Sequence, residues 1–432
     1  MLDFNAHSWH TCLFAIPTTG DFDAEWLKMN DLQQVNGGIT AAQGFRAAGV
    51  EAHIKYANRK DFALIVSDRP ANAAGLFTTN AVAAAPVRLG RERLAGGRLR
   101  AIAVNTGFAN ACTGEQGMEN ARAMSRLVSG ALGIPDEETI VCSTGVIGMH
   151  LPMERIAAGV ELAQAALDPA GGADAATAIM TTDTVSKQHA VRFQVDGHPV
   201  TVGGMCKGAG MIEPYLATML GFITTDASVA PADLREALRA AVEVSFNRVV
   251  IDNDRSTNDT VIVMANGASA APALSPAHPA WPRFTAALTA VCTELARQMV
   301  MDGEGVTKFV TLRVTGARSA DDAQLAARAI ARSMLVKTSW YGLDPNWGRV
   351  IAAVGYSGAA VEESLVRIRY GDILAFDRGR VADAATRAAL KEVMRERAFE
   401  VGVDLGLGDG DCTIFTCDLS REYVNINADY TT

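Results

Sequence analysis

The sequence lacks the features that would commit it to a membrane, a disulfide scaffold or a polyanion. No run of about 18 apolar residues occurs, which excludes a transmembrane helix; the longest candidates are core segments such as Phe62 to Val66. Seven cysteines, at positions 12, 112, 142, 206, 292, 412 and 417, are an odd number and too sparse for a disulfide framework, so a reducing compartment fits. Cations are in deficit, with 39 Lys plus Arg against 48 Asp plus Glu and a formal net charge of −9. Phosphate binding draws its affinity from clustered cations, so no nucleic-acid partner is expected. Residues 1–34 hold Asp3, Asp21, Asp23, Glu25 and Asp31 against Lys28 alone, unlike a secretory or transit signal, and the expected location is the cytoplasm.

Familiar catalytic signatures are missing as well. There is no phosphate-binding G-x-x-x-x-G-K-[ST], no G-x-G-x-x-G after a strand, no G-x-S-x-G elbow and no H-E-x-x-H. Of the seven histidines only His7 and His10 are closely spaced, and in an acidic arm they read as solvated. Cys412 and Cys417 read as core thiols. Catalysis by a histidine triad or a zinc ion is therefore poorly supported by these residues.

What the chain does have is apolar content, 49% hydrophobic against 20% charged, enough for large cores, and a length suited to two or three domain-sized units. Residues 62–67, 101–104, 191–195, 260–264, 309–314 and 365–369 read as strands by β-branched content or alternation. Helical periodicity runs over 120–132 (Met124, Leu127, Val128, Leu132), from Pro231 (Leu234, Leu238, Ala241, Ser245), through Leu288 to Met299, and through Leu325, Ala329 and Arg332. The class is mixed α/β or α+β. Residues 166–175 and 266–282, rich in Gly and Pro, read as connections, and the 1–34 extension as an acidic arm packed partly onto the body.

Five dense Gly/Thr/Asn clusters stand out: residues 105–114, 142–148, 180–183, 207–214 and 254–260. Glycine permits close backbone approach, and Thr and Asn supply neutral donors, a composition suited to a small polar ligand or an oxyanion. Tight turns account for any one cluster; five together favour a site. In the segment Lys207-Gly-Ala-Gly-Met-Ile-Glu-Pro-Tyr-Leu-Ala-Thr-Met-Leu220, a glycine-rich turn leads through Pro214 to one hydroxyl, Thr218, behind the small Ala217. A hydroxyl there is placed to attack the preceding carbonyl. The amine freed by cleavage, with an ordinary pKa of about 8, is then the nearest base for its own Oγ. Read alone, Thr218 is better taken as a filler hydroxyl in a buried strand.

That segment closely resembles the self-cleavage signature of the ornithine acetyltransferases, also called glutamate N-acetyltransferases, of arginine biosynthesis. Further blocks resemble the family in order: Gly37-Gly-Ile-Thr40, Lys60-Asp-x-Ala-Leu-Ile-Val-Ser-Asp68, Phe77-Thr-Thr-Asn80, Ala111-Cys-Thr-Gly-Glu-Gln-Gly117, Ser143-Thr-Gly-Val-Ile-Gly148, Ile179-Met-Thr-Thr-Asp-Thr184, Ser256-Thr-Asn-Asp-Thr260, Asp344-Pro-Asn-Trp-Gly-Arg349 and Asn427-Ala-Asp-Tyr-Thr-Thr432. The resemblance covers residues 37–432. It implies a layered αββα fold of two sheets between helical layers. It also implies cleavage between Ala217 and Thr218 into an α chain (35–217) and a β chain (218–432) of one interlocked fold, in an α2β2 assembly. Thr218 matches the nucleophile, Thr144 and Gly145 the oxyanion hole, and Thr181, Lys207, Thr218, Glu304, Asn427 and Thr432 the substrate contacts. The implied reaction is ping-pong transfer of acetyl from N2-acetylornithine to glutamate through acetyl-Thr218.

Some positions depart from the family pattern: Gln43, Phe108, Tyr215, Asn253, Arg255 and the 1–34 arm. The aromatic bulk of Phe108 and Tyr215 keeps open a paralogue acting as acyltransferase or amidohydrolase on another N-acyl amino acid. An uncleaved, non-catalytic binding protein is the reading from another class.

Overall fold

The computed structural model describes residues 27–213 and 219–429. Its strands are β1 (Gln33–Gln34), β2 (Phe45–Val50), β3 (Phe62–Phe77), β4 (Arg98–Asn105), β5 (Thr139–Ser143), β6 (Lys187–Val195), β7 (His198–Lys207) and β8 (Leu220–Thr225). They continue as β9 (Val249–Val250), β10 (Thr260–Ala265), β11 (Phe309–Ala317), β12 (Arg367–Tyr370), β13 (Ile373–Asp377), β14 (Arg380–Val381), β15 (Ala398–Asp404) and β16 (Gly410–Cys417). One nine-stranded sheet has the order β1-β6-β7-β8-β10-β3-β4-β5, with β2 also on β3. A seven-stranded sheet has the order β14-β13-β12-β15-β11-β16-β9.

The larger sheet is two arms joined through one bent strand. β3 pairs β2 along Phe62 to Ser67 and β10 along Asn72 to Phe77, and its register with β4 shifts between Val66 and Ala71. Pro70 sits in that gap, where it lacks the N–H a continuous ladder needs. The inner faces of both arms share one apolar core: Ala63, Ile65, Ile102, Val104 and Ile140 from one, Met205, Leu220, Phe222, Ile262 and Met264 from the other. The outer faces carry helices. Helices Gly114–Leu132 and Met153–Ala165 cover Leu64, Ala101 and Val141, while Pro231–Glu243 and Trp281–Met301 cover Val191, Val202, Ile223 and Val263. This is the expected αββα layering. The second sheet buries one face under Ala320–Arg332, Met334–Tyr341, Trp347–Gly355 and Ala384–Arg395.

Local chemistry sets the boundaries. Gly133, at φ 63°, ends the helix Gly114–Leu132 in the left-handed conformation that glycine adopts without a Cβ clash, and Ile134 donates back to the Ser129 carbonyl. Pro231 opens its helix at the first turn, where a missing N–H costs nothing.

Two readings of the sequence need correction. The stretch 166–175 is only partly a connection, because the helix Gly172–Ala178 begins inside it, held by burial of Ala175, Ala176 and Ala178 against β2 and β3. In Ala320–Arg332 the buried face is Ala323, Ala326, Ala327, Ile330 and Ala331, whereas Leu325 is 45% exposed, so small residues rather than the leucine mark the core side. Within the arm, Leu27 and Leu32 join the core and Gln33–Gln34 pairs with β6; residues 1–26, with His7 and His10, lie outside the described residues. Cys412 and Cys417 are buried.

Candidate functional site

Thr144 and Gly145 follow directly on β5 and are stitched to the loop after β4. The Thr144 N–H donates to the Asn105 carbonyl at 3.1 Å, and Val146 N–H to the Gly107 carbonyl at 3.1 Å. The Asn105 side chain accepts from Ser143 Oγ at 2.6 Å and donates to the Phe108 carbonyl at 3.0 Å. From a third segment, Asn258 Nδ2 donates to the Ala109 and Ser143 carbonyls at 2.6 and 2.8 Å. These bonds consume the Asn-rich clusters as scaffolding. Gly145 has φ 129°, and a Cβ there would collide with the Gly107 carbonyl and stand 2.7 Å from the Phe108 nitrogen. Only glycine fits. With the Thr144 amide engaged, the donor that Thr144 has left is its hydroxyl, and both Thr144 and Gly145 line the cavity.

Lys207 ends β7, pairs in register with Leu220 of β8, and lies 2% exposed. Its Nζ donates to Thr144 Oγ1 at 3.4 Å. As an acceptor from Lys207, the Thr144 hydroxyl keeps its own proton for another partner. Burial holds the Lys207 amine below the usual lysine value; Asp183 works against that and Lys187 with it. The turn after Lys207 meets Glu304, whose N–H donates to the Ala209 carbonyl at 2.9 Å. A Cβ on Gly210 would lie 2.5 Å from the Glu304 carboxyl carbon, so glycine is required for this approach. Glu304 in turn accepts from Asn427 Nδ2 at 2.8 Å, on the C-terminal helix Arg421–Asp429.

Thr144, Gly145, Thr181, Lys207, Glu304 and Asn427 line one cavity of about 110 Å³ together with Ala109, Gly210, Met211 and the run Ser256, Thr257 and Asn258. All six candidate positions that fall within the described residues therefore converge, from five separate stretches of chain. The volume is below the roughly 300–1,000 Å³ of pockets for drug-sized ligands, and the lining mixes one cation, one carboxylate and neutral donors, which suits a small zwitterion. Ala217, Thr218 and Thr432 lie outside the described residues, as does Tyr215. Phe108 packs into the core beneath the helices of the β2–β5 arm and does not line the cavity. Among the described residues no group of His, Cys, Asp and Glu has metal-holding geometry, and no helix is long and apolar enough to cross a membrane.

Some residues at the site were not singled out by the sequence. Asp259 accepts the Met219 N–H on Oδ1 at 2.9 Å, while its Oδ2 is buried without a partner among the described residues. Burial pushes its carboxyl well above the usual range, against the Met219 hydrogen bond. Asp183, Lys187 and Asp302 form a buried ionic cluster behind the cavity. Asp183 and Asp259 stand inside quoted motif blocks, Thr-Thr-Asp-Thr184 and Ser-Thr-Asn-Asp-Thr260, and that is the signal that marks them; Lys187 has none.

The ArgJ family matches residues 46–432. The arginine biosynthesis bifunctional protein ArgJ of Symbiobacterium thermophilum is 50% identical over 403 residues, 93% of this chain and 100% of that protein. The protein of the same name from Geobacter sulfurreducens is 50% identical over 390 residues, 90% of this chain and 99% of its own. That from Bacillus subtilis is 42% identical over 407 residues, covering 94% and 99%. With matches of that length and identity across both sheets, the chain belongs to the ArgJ family.

Proposed function

We propose that the protein is a self-cleaving acetyltransferase of arginine biosynthesis, moving acetyl from N2-acetylornithine to glutamate. The observation that carries this is the convergence of Thr144, Gly145, Thr181, Lys207, Glu304 and Asn427 on one small cavity, within a chain of the ArgJ family. Cleavage between Ala217 and Thr218 leaves an α chain of residues 35–217 with its acidic extension and a β chain of 218–432. Thr218 Oγ, relieved of its proton by its own α-amine, attacks the acetyl carbonyl. The developing oxyanion takes hydrogen bonds from the Thr144 hydroxyl and the Gly145 N–H. The amide nitrogen of ornithine leaves with a proton, acetyl remains as an ester on Thr218, and the α-amine of glutamate removes it.

Charge complementarity orients the substrates. The Lys207 cation attracts a carboxylate, and Glu304, steadied by Asn427, attracts the ammonium of ornithine; Thr181 and Thr432 complete the polar lining. The relatives are named bifunctional arginine biosynthesis proteins, and a second route, in which acetyl-CoA charges the same threonine, uses no further residue. The active protein is an α2β2 assembly in the cytoplasm, without metal or organic cofactor. Phe108, half-buried against the core of the β2–β5 arm, is not among the residues that line the cavity, which weakens one of the two features that favoured a paralogue with another substrate.

Purified protein incubated with N2-acetylornithine and glutamate should yield ornithine and N-acetylglutamate and run as two bands of about half the 45.6 kDa chain. Thr218→Ala should give a single full-length band and no transfer. A fully cleaved protein that moves no acetyl between these two amino acids refutes the substrate assignment, and a Thr218→Ala chain that still cleaves refutes the nucleophile.

A further inference from the structure

Behind the cavity, away from the acetyl-transfer chemistry just described, Lys187 at the start of β6 sits 0% exposed. Its Nζ donates to Asp183 Oδ1 at 2.6 Å, to Asp302 Oδ2 at 2.6 Å and to the Val185 carbonyl at 3.3 Å, which uses all three ammonium protons. Neither carboxylate is a simple counter-ion. Asp183 accepts the Thr181 N–H at 3.0 Å on one oxygen and the Gly208 N–H at 2.7 Å on the other. Asp302 accepts the Thr184 N–H at 3.0 Å, the Thr184 hydroxyl and the Val185 N–H at 3.4 Å. Each bond lands on a segment that carries a cavity residue: Thr181 itself, Gly208 beside Lys207, and Asp302 two residues before Glu304.

We infer that Lys187, clamped between Asp183 and Asp302, is a positioning residue that sets the mutual placement of Thr181, Lys207 and Glu304 and thereby the fit of the amino-acid substrate. None of the three ionic groups lines the cavity. The three cavity residues come from separate stretches of chain, and the Lys187–Asp302 bond alone spans 115 positions. A buried cation with saturated donors fixes directions that van der Waals packing leaves loose, because charge-assisted bonds are short and geometrically selective. The three loops are further linked by the Glu304 N–H to the Ala209 carbonyl, so displacing one moves the others.

The inference rests on the reading of this cavity as the acetyl-transfer site, and the experiment separates the two. Asp302→Asn keeps the shape and an acceptor but weakens the clamp; Lys187→Arg keeps the charge in another geometry; Lys187→Met removes it. Steady-state transfer from N2-acetylornithine to glutamate is measured for the parent and each full-length variant, with self-cleavage and melting temperature as controls. The expected result is that Asp302→Asn, cleaved and folded like the parent, raises KM for N2-acetylornithine at least tenfold with kcat changed less than threefold, and that Lys187→Arg recovers part of the KM lost in Lys187→Met. Parental KM in Asp302→Asn and in the folded fraction of Lys187→Met, even with a lower melting temperature, reduces the cluster to a structural role and overturns the inference. A parent protein without transfer activity overturns the functional reading itself and the inference with it, an outcome distinct from a variant that alone fails.

Discussion

Thr144→Val exchanges one side-chain oxygen for a methyl group and leaves the β-branched shape intact, so it isolates what that hydroxyl contributes. In the resting protein the contribution is small. The Thr144 backbone amide is bound to Asn105 and unaffected, and among the described residues the side-chain bond lost is the 3.4 Å contact from Lys207 Nζ. A neutral acceptor at that length contributes about 1 kcal/mol to folding at most. In the transition state of the proposed mechanism the loss is larger, because the hydroxyl proton is there one of two donors to the oxyanion. Removing one such donor typically costs roughly 10²- to 10³-fold in kcat, or about 3–4 kcal/mol. The expected signature in steady-state transfer is therefore a kcat lowered by two to three orders of magnitude, KM within about threefold, and a melting temperature lowered by only a few degrees. Thr144→Ser, which keeps the oxygen, should stay within tenfold of the parent. A Thr144→Val protein with kcat within tenfold of the parent, or one that loses activity only in proportion to unfolded material, refutes the oxyanion role.

Other outcomes follow from the same geometry. Gly210→Ala places a methyl 2.5 Å from the Glu304 carboxyl carbon and must push that side chain away, so KM for N2-acetylornithine should rise about tenfold or more with little change in stability, read by kinetics and thermal melting. Burial works to raise the Asp183 carboxyl, but the Lys207 and Lys187 cations and the hydrogen bonds from Lys187 and Thr181 outweigh it and hold the group at about 2, against 3.8 unfolded. A depressed carboxyl contributes stability present above the unfolded value and lost as pH falls from about 4 toward 2, here about 2 kcal/mol. Acid titration of Asp183→Asn should lack that portion of the loss; a slope equal to the parent's between pH 4 and 2 would count against the ionised cluster.

The halves of the site differ in how far the sequence exposes them. Thr144, Gly145 and Lys207 stand in dense Gly/Thr/Asn clusters, and the strain at Gly145 and the contact at Gly210 explain why such clusters need glycine. Lys187 was invisible because Lys187-Gln-His-Ala-Val reads as the polar end of an ordinary strand. Its burial is decided by Asp302, 115 positions away, which no local pattern reports. Strand cores were legible from β-branched runs, yet the bend of β3 depended on how two partners share one strand. In Ala320–Arg332 the leucine misled because alanines pack closest to the sheet. Phe108 stood out as an odd residue in a motif, but packing turned it inward, so an unusual side chain beside a site was not a feature of the site.

The strand order of the larger sheet gives the proposed break before Thr218 a mechanical meaning. β8 and β10 follow the break, and they stand between β7 on one side and β3 on the other, both of which precede it. The downstream piece thus enters the larger sheet as a two-strand wedge, bonded along both flanks: six residue pairs to β7 and six to β3. Pulling the wedge out would sever both ladders and open the shared core, so the pieces cannot exchange between molecules without unfolding. Making them together in one chain fixes their pairing one to one. Once the link is cut, refolding becomes a meeting of two molecules, and its yield should depend on concentration where that of the uncut chain does not. The proposed self-cleavage would therefore be a one-way commitment, with the two pieces already interleaved in one sheet.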